Sequence, residues 1–287
     1  MARAALSAAR AIDVLEFLAA HPHGAFTYSE LSSRLGINLA SLHAVLHELE
    51  QRRFLARDPE TKRYTLGLAL AATGDAALRR HRALDLVRRE MAGLGRRLSL
   101  ECVAFAAVRS EMLCLATAGT DRPTIQVGQR VPLLAPFGVV FVAWSAPAVV
   151  DAWLRRSGID RARATHAAAA LDTVRERGFS ATLDLPEYRE IERLVVELGD
   201  RPHAPELWQA LRGRIAGVDR AEFLPTRSGR RRQRVRDITA PVFDDAGRPA
   251  IALTVQGFEG ARRSSDIEEI AAALLEVTRR VGDESHV

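Results

Sequence analysis

The chain has 287 residues, 47% of them hydrophobic and 27% charged, with a net charge of +5, the balance of an ordinary soluble protein of one large or two smaller domains. Two cysteines, Cys102 and Cys114, are too few for a disulfide scaffold or a zinc site and point to the reducing cytoplasm. The basic excess is a weak pull toward polyanions, and residues 1–72 hold only eight basic against seven acidic side chains, which excludes binding by bulk charge alone.

A first helix is predicted over about 8–20, offering Ile12, Leu15 and Leu18 to a small core. Its N-terminal flank has acids inside the apolar stretch and no signal-peptide core. Thr27 and Glu30 have the spacing of a capping box, so a second helix starts there. Leu31 and Leu35 give it an apolar stripe, and Gly36 ends it in a left-handed conformation. Asn38 is a good N-cap for a third helix, where Leu42, Val45, Leu46 and Leu49 recur at i, i+3, i+4 and i+7. The opposite face carries Asn38, Ala40, Ser41, Ala44, His47 and Gln51, with His43 at its edge. Residues 54–57 and 63–66 then flank the polar turn 58–62, a short β-hairpin. Helix, turn, helix and hairpin in that order make a winged helix-turn-helix, which sets its last helix in the major groove of duplex DNA. Lys62 and Arg63 sit where the wing would meet phosphate. His43 and His47 also have the i, i+4 spacing of two metal ligands, but no third ligand is evident, and a DNA-facing or solvated pair is the better reading.

Residues 73–98 read as one long linker helix. Leu84, Val87, Met91, Leu94 and Leu98 form a heptad-like seam that serves either a second copy of the chain or the chain's own sheet. From Glu101 the pattern becomes α/β. Strands are predicted at 101–108, 112–117, 179–183, 235–243 and 250–256, and helices at 148–156, 166–177 and, as a pair, within 186–216. Ser265 and Glu268 repeat the capping-box spacing before a last helix with Ile267, Ile270, Leu274 and Val277 inward. Val131 to Val150 is uncharged and long enough to span a bilayer, but Pro132, Pro136, Gly138 and Pro147 break it, so a buried loop and helix are expected and no membrane partner. A sheet with helices packed on it and a pocket between them fits this order.

RAIDVLEFLA (10–19), ELSSRLGI (30–37), SLHAVLHELEQ (41–51), RDPETKRYTLG (57–67), GQRVPLLAPFG (128–138), RERGFS (175–180) and APVFDDAGRPAIALTVQG (240–257) together resemble the IclR-type transcriptional regulators over nearly the whole chain. The resemblance implies an α+β fold: an N-terminal winged helix-turn-helix over 1–72, a linker helix over 73–98, and a C-terminal GAF-like α/β effector-binding domain over 99–287. It implies a ligand-responsive regulator that binds double-stranded DNA and a small-molecule effector, works as a homodimer or homotetramer, and needs no cofactor or metal. The family usually carries Lys-Ser-Thr-x-His-Arg at the start of the recognition helix. Here Leu39, Ala40, Ser41, Leu42, His43 and Ala44 stand there, so two basic contacts and a hydroxyl are gone.

By the same resemblance the effector pocket takes Thr182, Asp237, Thr254 and Gln256, and Phe137 and Trp144 are aromatic candidates for its wall. A carboxylate there disfavours an anionic effector unless an arginine offsets it. Residues 186–233 look like an insertion. Its arginine run, Arg227, Arg230, Arg231 and Arg232 with the neighbouring Arg234 and Arg236, reads as a solvated turn, with a second nucleic-acid contact as the alternative. No nucleophile motif, metal triad or dinucleotide fingerprint is present, so the expectation is no enzyme. The rival reading is an enzyme fused to a winged helix, which would turn its ligand over.

Overall fold

The computed structural model describes residues 5–135, 137–158, 161–216 and 232–285, with side chains described outside 161–168 and 216. Its N-terminal part runs α1 (Leu6–Ala19), α2 (Tyr28–Leu35), α3 (Leu39–Gln51), β1 (Leu55–Arg57) and β2 (Tyr64–Leu66). The capping box forms as the spacing requires. Thr27 Oγ1 accepts the Glu30 N–H at 3.3 Å, and the Glu30 carboxylate accepts the Thr27 N–H at 2.7 Å, which with the Thr27 hydroxyl holds that carboxyl below its ordinary range. Gly36 adopts φ +65° and closes α2, a conformation without cost for glycine alone. Leu42, Val45, Leu46 and Leu49 are all buried against Val14, Phe17, Leu18, Leu31 and Leu35. Ile12 is a correction: it is 53% exposed, and Val14 and Phe17 take its place in the core. Each helical residue turns the stripe by about 100°, and the stripe that meets α3 is the one carrying the large Phe17 ring.

The linker is also corrected. It is two helices, α4 (Ala69–Arg80) and α5 (Arg82–Leu98), which meet at His81 with φ −109° and ψ 66°. The seam of α5 is used within the chain: Val87, Met91 and Leu94 are buried, and Leu84 and Leu98 are partly buried in the same cluster. No described residue of α4 is buried.

Six strands, β3 (Glu101–Val108), β4 (Glu111–Ala118), β5 (Arg130–Pro132), β6 (Ser180–Leu183), β7 (Val235–Phe243) and β8 (Pro249–Gln256), form an antiparallel sheet of order β5-β4-β3-β8-β7-β6. Two hairpins distant in sequence are thus joined at its centre, where Glu101 pairs with Gln256 and Val103 with Thr254. Helices α5 and α11 (Ser264–Ser285) cover one face, and α6 (Val139–Val142), α7 (Pro147–Arg156), α8 (Arg161–Arg177), α9 (Pro186–Asp200) and α10 (Pro205–Ala216) gather on the other. Side-chain alternation separates the cysteines: Cys102 belongs to the α5/α11 core and Cys114 to the opposite one. Both are free, and burial pushes each thiol up to about 12, so neither is a reactive thiolate at neutral pH. The apolar residues 131–135 and 139–143 lie buried, with all of α6 inside, whereas 146–149 are exposed. No described helix is long and apolar enough to cross a membrane. At α11 the box expected from Ser265 and Glu268 does not form. The helix opens at Ser264, the Asp266 carboxylate accepts the Arg263 N–H at 3.2 Å, and Glu268 instead lies 3.8 Å from Arg177.

The winged helix rests on the larger domain through charged contacts. Asp200, at the end of α9, accepts from His21 Nε2 and Arg34 Nη1, each at 2.9 Å. Arg130 on β5 bridges Glu16 of α1 and, at 3.0 Å, Glu111 of β4. His203 stands 3.4 Å from Asp13. A cleft of about 840 Å³ runs along this contact between α1 and the loops near β5 and α10.

Candidate functional site

Two surfaces carry the chemistry. The first is the outward face of α3. The Asn38 side chain accepts the Ser41 N–H at 3.0 Å, so its carbonyl is committed to the cap. Asn38, Ala40, His43, Ala44, His47 and Gln51 are exposed, and Ser41 is half-buried. The His43 and His47 rings lie parallel, 6.5 Å between centroids, and the described residues contain no group of three or more side chains fit to hold a metal. This face has hydroxyl, amide, imidazole and methyl groups but no cation, so it can read base edges without anchoring phosphate.

The wing supplies charge. Asp58 Oδ1 accepts the N–H groups of Glu60 at 3.0 Å and Thr61 at 2.6 Å, which with the Thr61 hydroxyl holds the Asp58 carboxyl low. That turn puts Lys62 at φ +58°, exposed at the tip with its Nζ donating to the Pro59 carbonyl, near the exposed Arg57. Arg63 is not available there. Its guanidinium donates to the Ala25 carbonyl at 2.6 Å and to Glu30 at 3.1 Å. Arg63 therefore braces the wing against the start of α2. Its partner is 33 residues away, beyond any local pattern.

The second surface is a half-open cavity of about 340 Å³ between the sheet and α9. Phe137, Thr182, Asp237, Thr254 and Gln256 all line it, while Trp144 lies elsewhere, edge-on to Phe243 at 5.1 Å. A polar rail crosses the sheet. The Thr182 hydroxyl donates to Asp237 at 3.1 Å, and the hydroxyls of Thr239 and Thr254 are 2.9 Å apart. Gln256 donates to buried Glu101 at 3.0 Å, which also accepts the Thr124 N–H at 2.9 Å and so ties the loop before β5 to the rail. Phe105, Met112, Val131 and Val195 give the cavity apolar walls.

Thr239 and Arg236 also line the cavity and were not among the candidates. Thr239 follows Asp237 by two on one strand face, a period-two signal that was there to be used. Arg236 reaches the cavity through a bulge: Thr182 pairs with Asp237 but the next residue, Leu183, pairs with Val235. The extra residue re-aims its side chain. The Arg236 guanidinium lies 5.1 Å from the ring centroids of both Phe137 and Tyr188. Its Nε donates to Glu192 of α9 at 2.9 Å, and its buried Nη1 has no acceptor among the described residues. The rest of the arginine run up to Arg231 lies outside the described residues.

Asp237 is half-buried and lines the cavity. Burial pushes its carboxyl up, against the pull of the Arg236 charge and the Thr182 and Thr239 hydroxyls. The folded state therefore holds this proton more tightly than the unfolded chain does. Stability from this group is full below the ordinary aspartate range, about 3.9, and is lost as pH rises through the raised value. Asp237→Asn stays neutral, so it is expected to melt above the wild type at neutral pH and level with it near pH 4. A difference that does not change with pH between those limits would refute the raised carboxyl.

Residues 7–59 match the family model of the IclR helix-turn-helix domain. The chain is 28% identical over 277 residues to the HTH-type transcriptional regulator BhcR of Paracoccus denitrificans (strain Pd 1222), covering 95% of this chain and 84% of that protein. Its fold is similar to that of the IclR transcriptional regulator from Alicyclobacillus acidocaldarius, with a TM-score of 0.67 at 22% identity over 98% and 99% of the two chains. It is also similar to Pseudomonas aeruginosa HmgR, with a TM-score of 0.63 at 24% identity over 97% and 98%. An IclR homolog from Microbacterium hydrocarbonoxydans, solved in complex with 4-hydroxybenzoate, aligns with a TM-score of 0.62 at 20% identity over 96% and 98%.

Proposed function

We propose, from the premise that this chain is an IclR-type transcriptional regulator, that its DNA affinity is governed by a small organic metabolite held in the cavity beneath α9. Asn38, Ala40, Ser41, His43, Ala44 and His47 face the major groove, and Lys62 meets a flanking phosphate, with Arg57 a better second cation than Arg63. The observation that carries the reading is the uncovered, charge-free face of α3 beside a cationic wing tip. One such module binds weakly, because phosphate contacts supply most of the affinity. A homodimer or homotetramer presenting paired helices to half-sites about 34 Å apart, or a multiple of that, makes up the difference. The chain works in the cytoplasm with the DNA, and its metabolite leaves chemically unchanged. The effector changes DNA affinity only through its unequal affinity for two arrangements of the paired modules.

The test is retardation of promoter fragments from the chain's own locus by the purified protein, with and without candidate metabolites. Retention of no fragment in either condition sinks the reading. Lys62→Ala keeps a non-glycine residue at φ +58°, so the turn is no more strained than before. It is expected to weaken binding about equally on all fragments and to lower the salt slope by roughly one per copy. Unchanged affinity at moderate salt removes the wing from the interface.

A further inference from the structure

Within the segment read as an insertion, α9 both lines the cavity and meets the winged helix. Midway along α9, Glu192, Val195 and Val196 line the cavity, and Glu192 holds the cavity arginine Arg236 at 2.9 Å. At the end of the same helix, Asp200 holds His21 and Arg34 of the winged helix, each at 2.9 Å. The turn beyond adds His203, 3.4 Å from Asp13. Gln129 completes the link: it lines the cavity, and its side-chain amide packs beside Gly199, one residue before Asp200, where an added Cβ would meet its Nε2 at 3.3 Å. A rigid helix carries a displacement at Val195 to Asp200 with little loss, because packed elements move as bodies.

We infer that α9 is a strap between sensor and reader: its cavity face and its docking end move together, so filling the cavity and releasing the winged helix are coupled. The docking contact suits reversible use. Its ion pairs are partly open to solvent, with side-chain exposures of 22% for His21, 38% for Arg34 and 48% for Asp200, and such pairs are individually weak. The 840 Å³ cleft beside them leaves the contact loosely packed. A larger dry interface would fix the winged helix permanently. By linkage, a change that frees the winged helix also changes the affinity of the cavity for its occupant.

The inference rests on the cavity being the effector site, but its test needs neither DNA nor effector. Nitroxide labels on Ser33→Cys and Glu269→Cys, both exposed, report the distance from α2 to α11 in the full chain. Excess unlabelled chain removes distances between copies, and the two native cysteines are buried and unreactive. The parent is expected to give one narrow distance. Asp200→Asn is expected to lose it in favour of a broad distribution. Val195→Phe, which fills the cavity from α9 itself, is expected to do the same with Asp200 intact. Should that variant not fold, Val196→Trp serves, since Val196 is 56% exposed and tolerates bulk. If Asp200→Asn keeps the narrow distance, the docking role is overturned. If Asp200→Asn broadens it and neither cavity-filling variant does, the coupling is overturned. A failure to retard DNA in the earlier assay leaves these distances unaffected, so the two readings fail separately.

Discussion

Replacing Leu42 with alanine is expected to destabilise the winged helix by about 2–5 kcal/mol, the cost of a large-to-small change with an unrelaxed cavity. Leu42 has no exposure and sits where α3 crosses α1 and α2, against Leu18, Leu31 and Leu46. A module this small has little stability to lose, so the same substitution that would merely weaken a large domain leaves much of this one unfolded at 37 °C. The measurement is urea unfolding followed at two reporters, one in each domain. The N-terminal transition shifts to lower denaturant, and the transition of the six-stranded sheet stays in place. A loss under about 1 kcal/mol would show that α3 is not seated in the core as described.

Ser41→Glu is expected to cut DNA affinity by about a hundredfold while leaving the melting curve alone. A carboxylate on this face is repelled by phosphate, and each lost base-edge contact costs about 1–3 kcal/mol in every copy that binds. Folding is spared for a specific reason. Ser41 lies in the first turn of α3, where a negative charge is favourable to the helix dipole, and it contributes its backbone N–H, not its hydroxyl, to the Asn38 cap. Anisotropy titration of a labelled promoter fragment reads the affinity. Wild-type affinity in this variant would take α3 out of the groove.

The parts of the molecule legible in the sequence are those governed by near neighbours. The Thr27–Glu30 box, the Gly36 stop, the Asn38 cap and the Leu42–Leu49 stripe follow from rules that span at most seven residues, and each forms as expected. Asp237, Thr254 and Gln256 reach one cavity because β7 and β8 pair in the register that places Asp237 opposite Gln256 and Thr239 opposite Thr254. The misses have distant causes. Arg63 turns inward to Glu30, and Ile12 is displaced by the demands of α3. The break at His81 carries no proline or glycine to announce it. Arg236 was hidden among its neighbouring arginines, since nothing in a basic run signals a bulge. The docking of α9 on the winged helix was out of reach, because Asp200 meets His21 and Arg34 across 179 and 166 positions and no local rule spans them.

The central pairing of β3 with β8 has a consequence for biosynthesis. Glu101 and Gln256 meet across 155 positions, so the six-stranded sheet stays open at its middle until the ribosome has delivered the closing hairpin. All of the reader's internal contacts lie within the opening stretch of the polypeptide and form early. The winged helix can thus be complete before the sheet that lines the cavity has closed, and any product terminated before β8 would carry the first without the second.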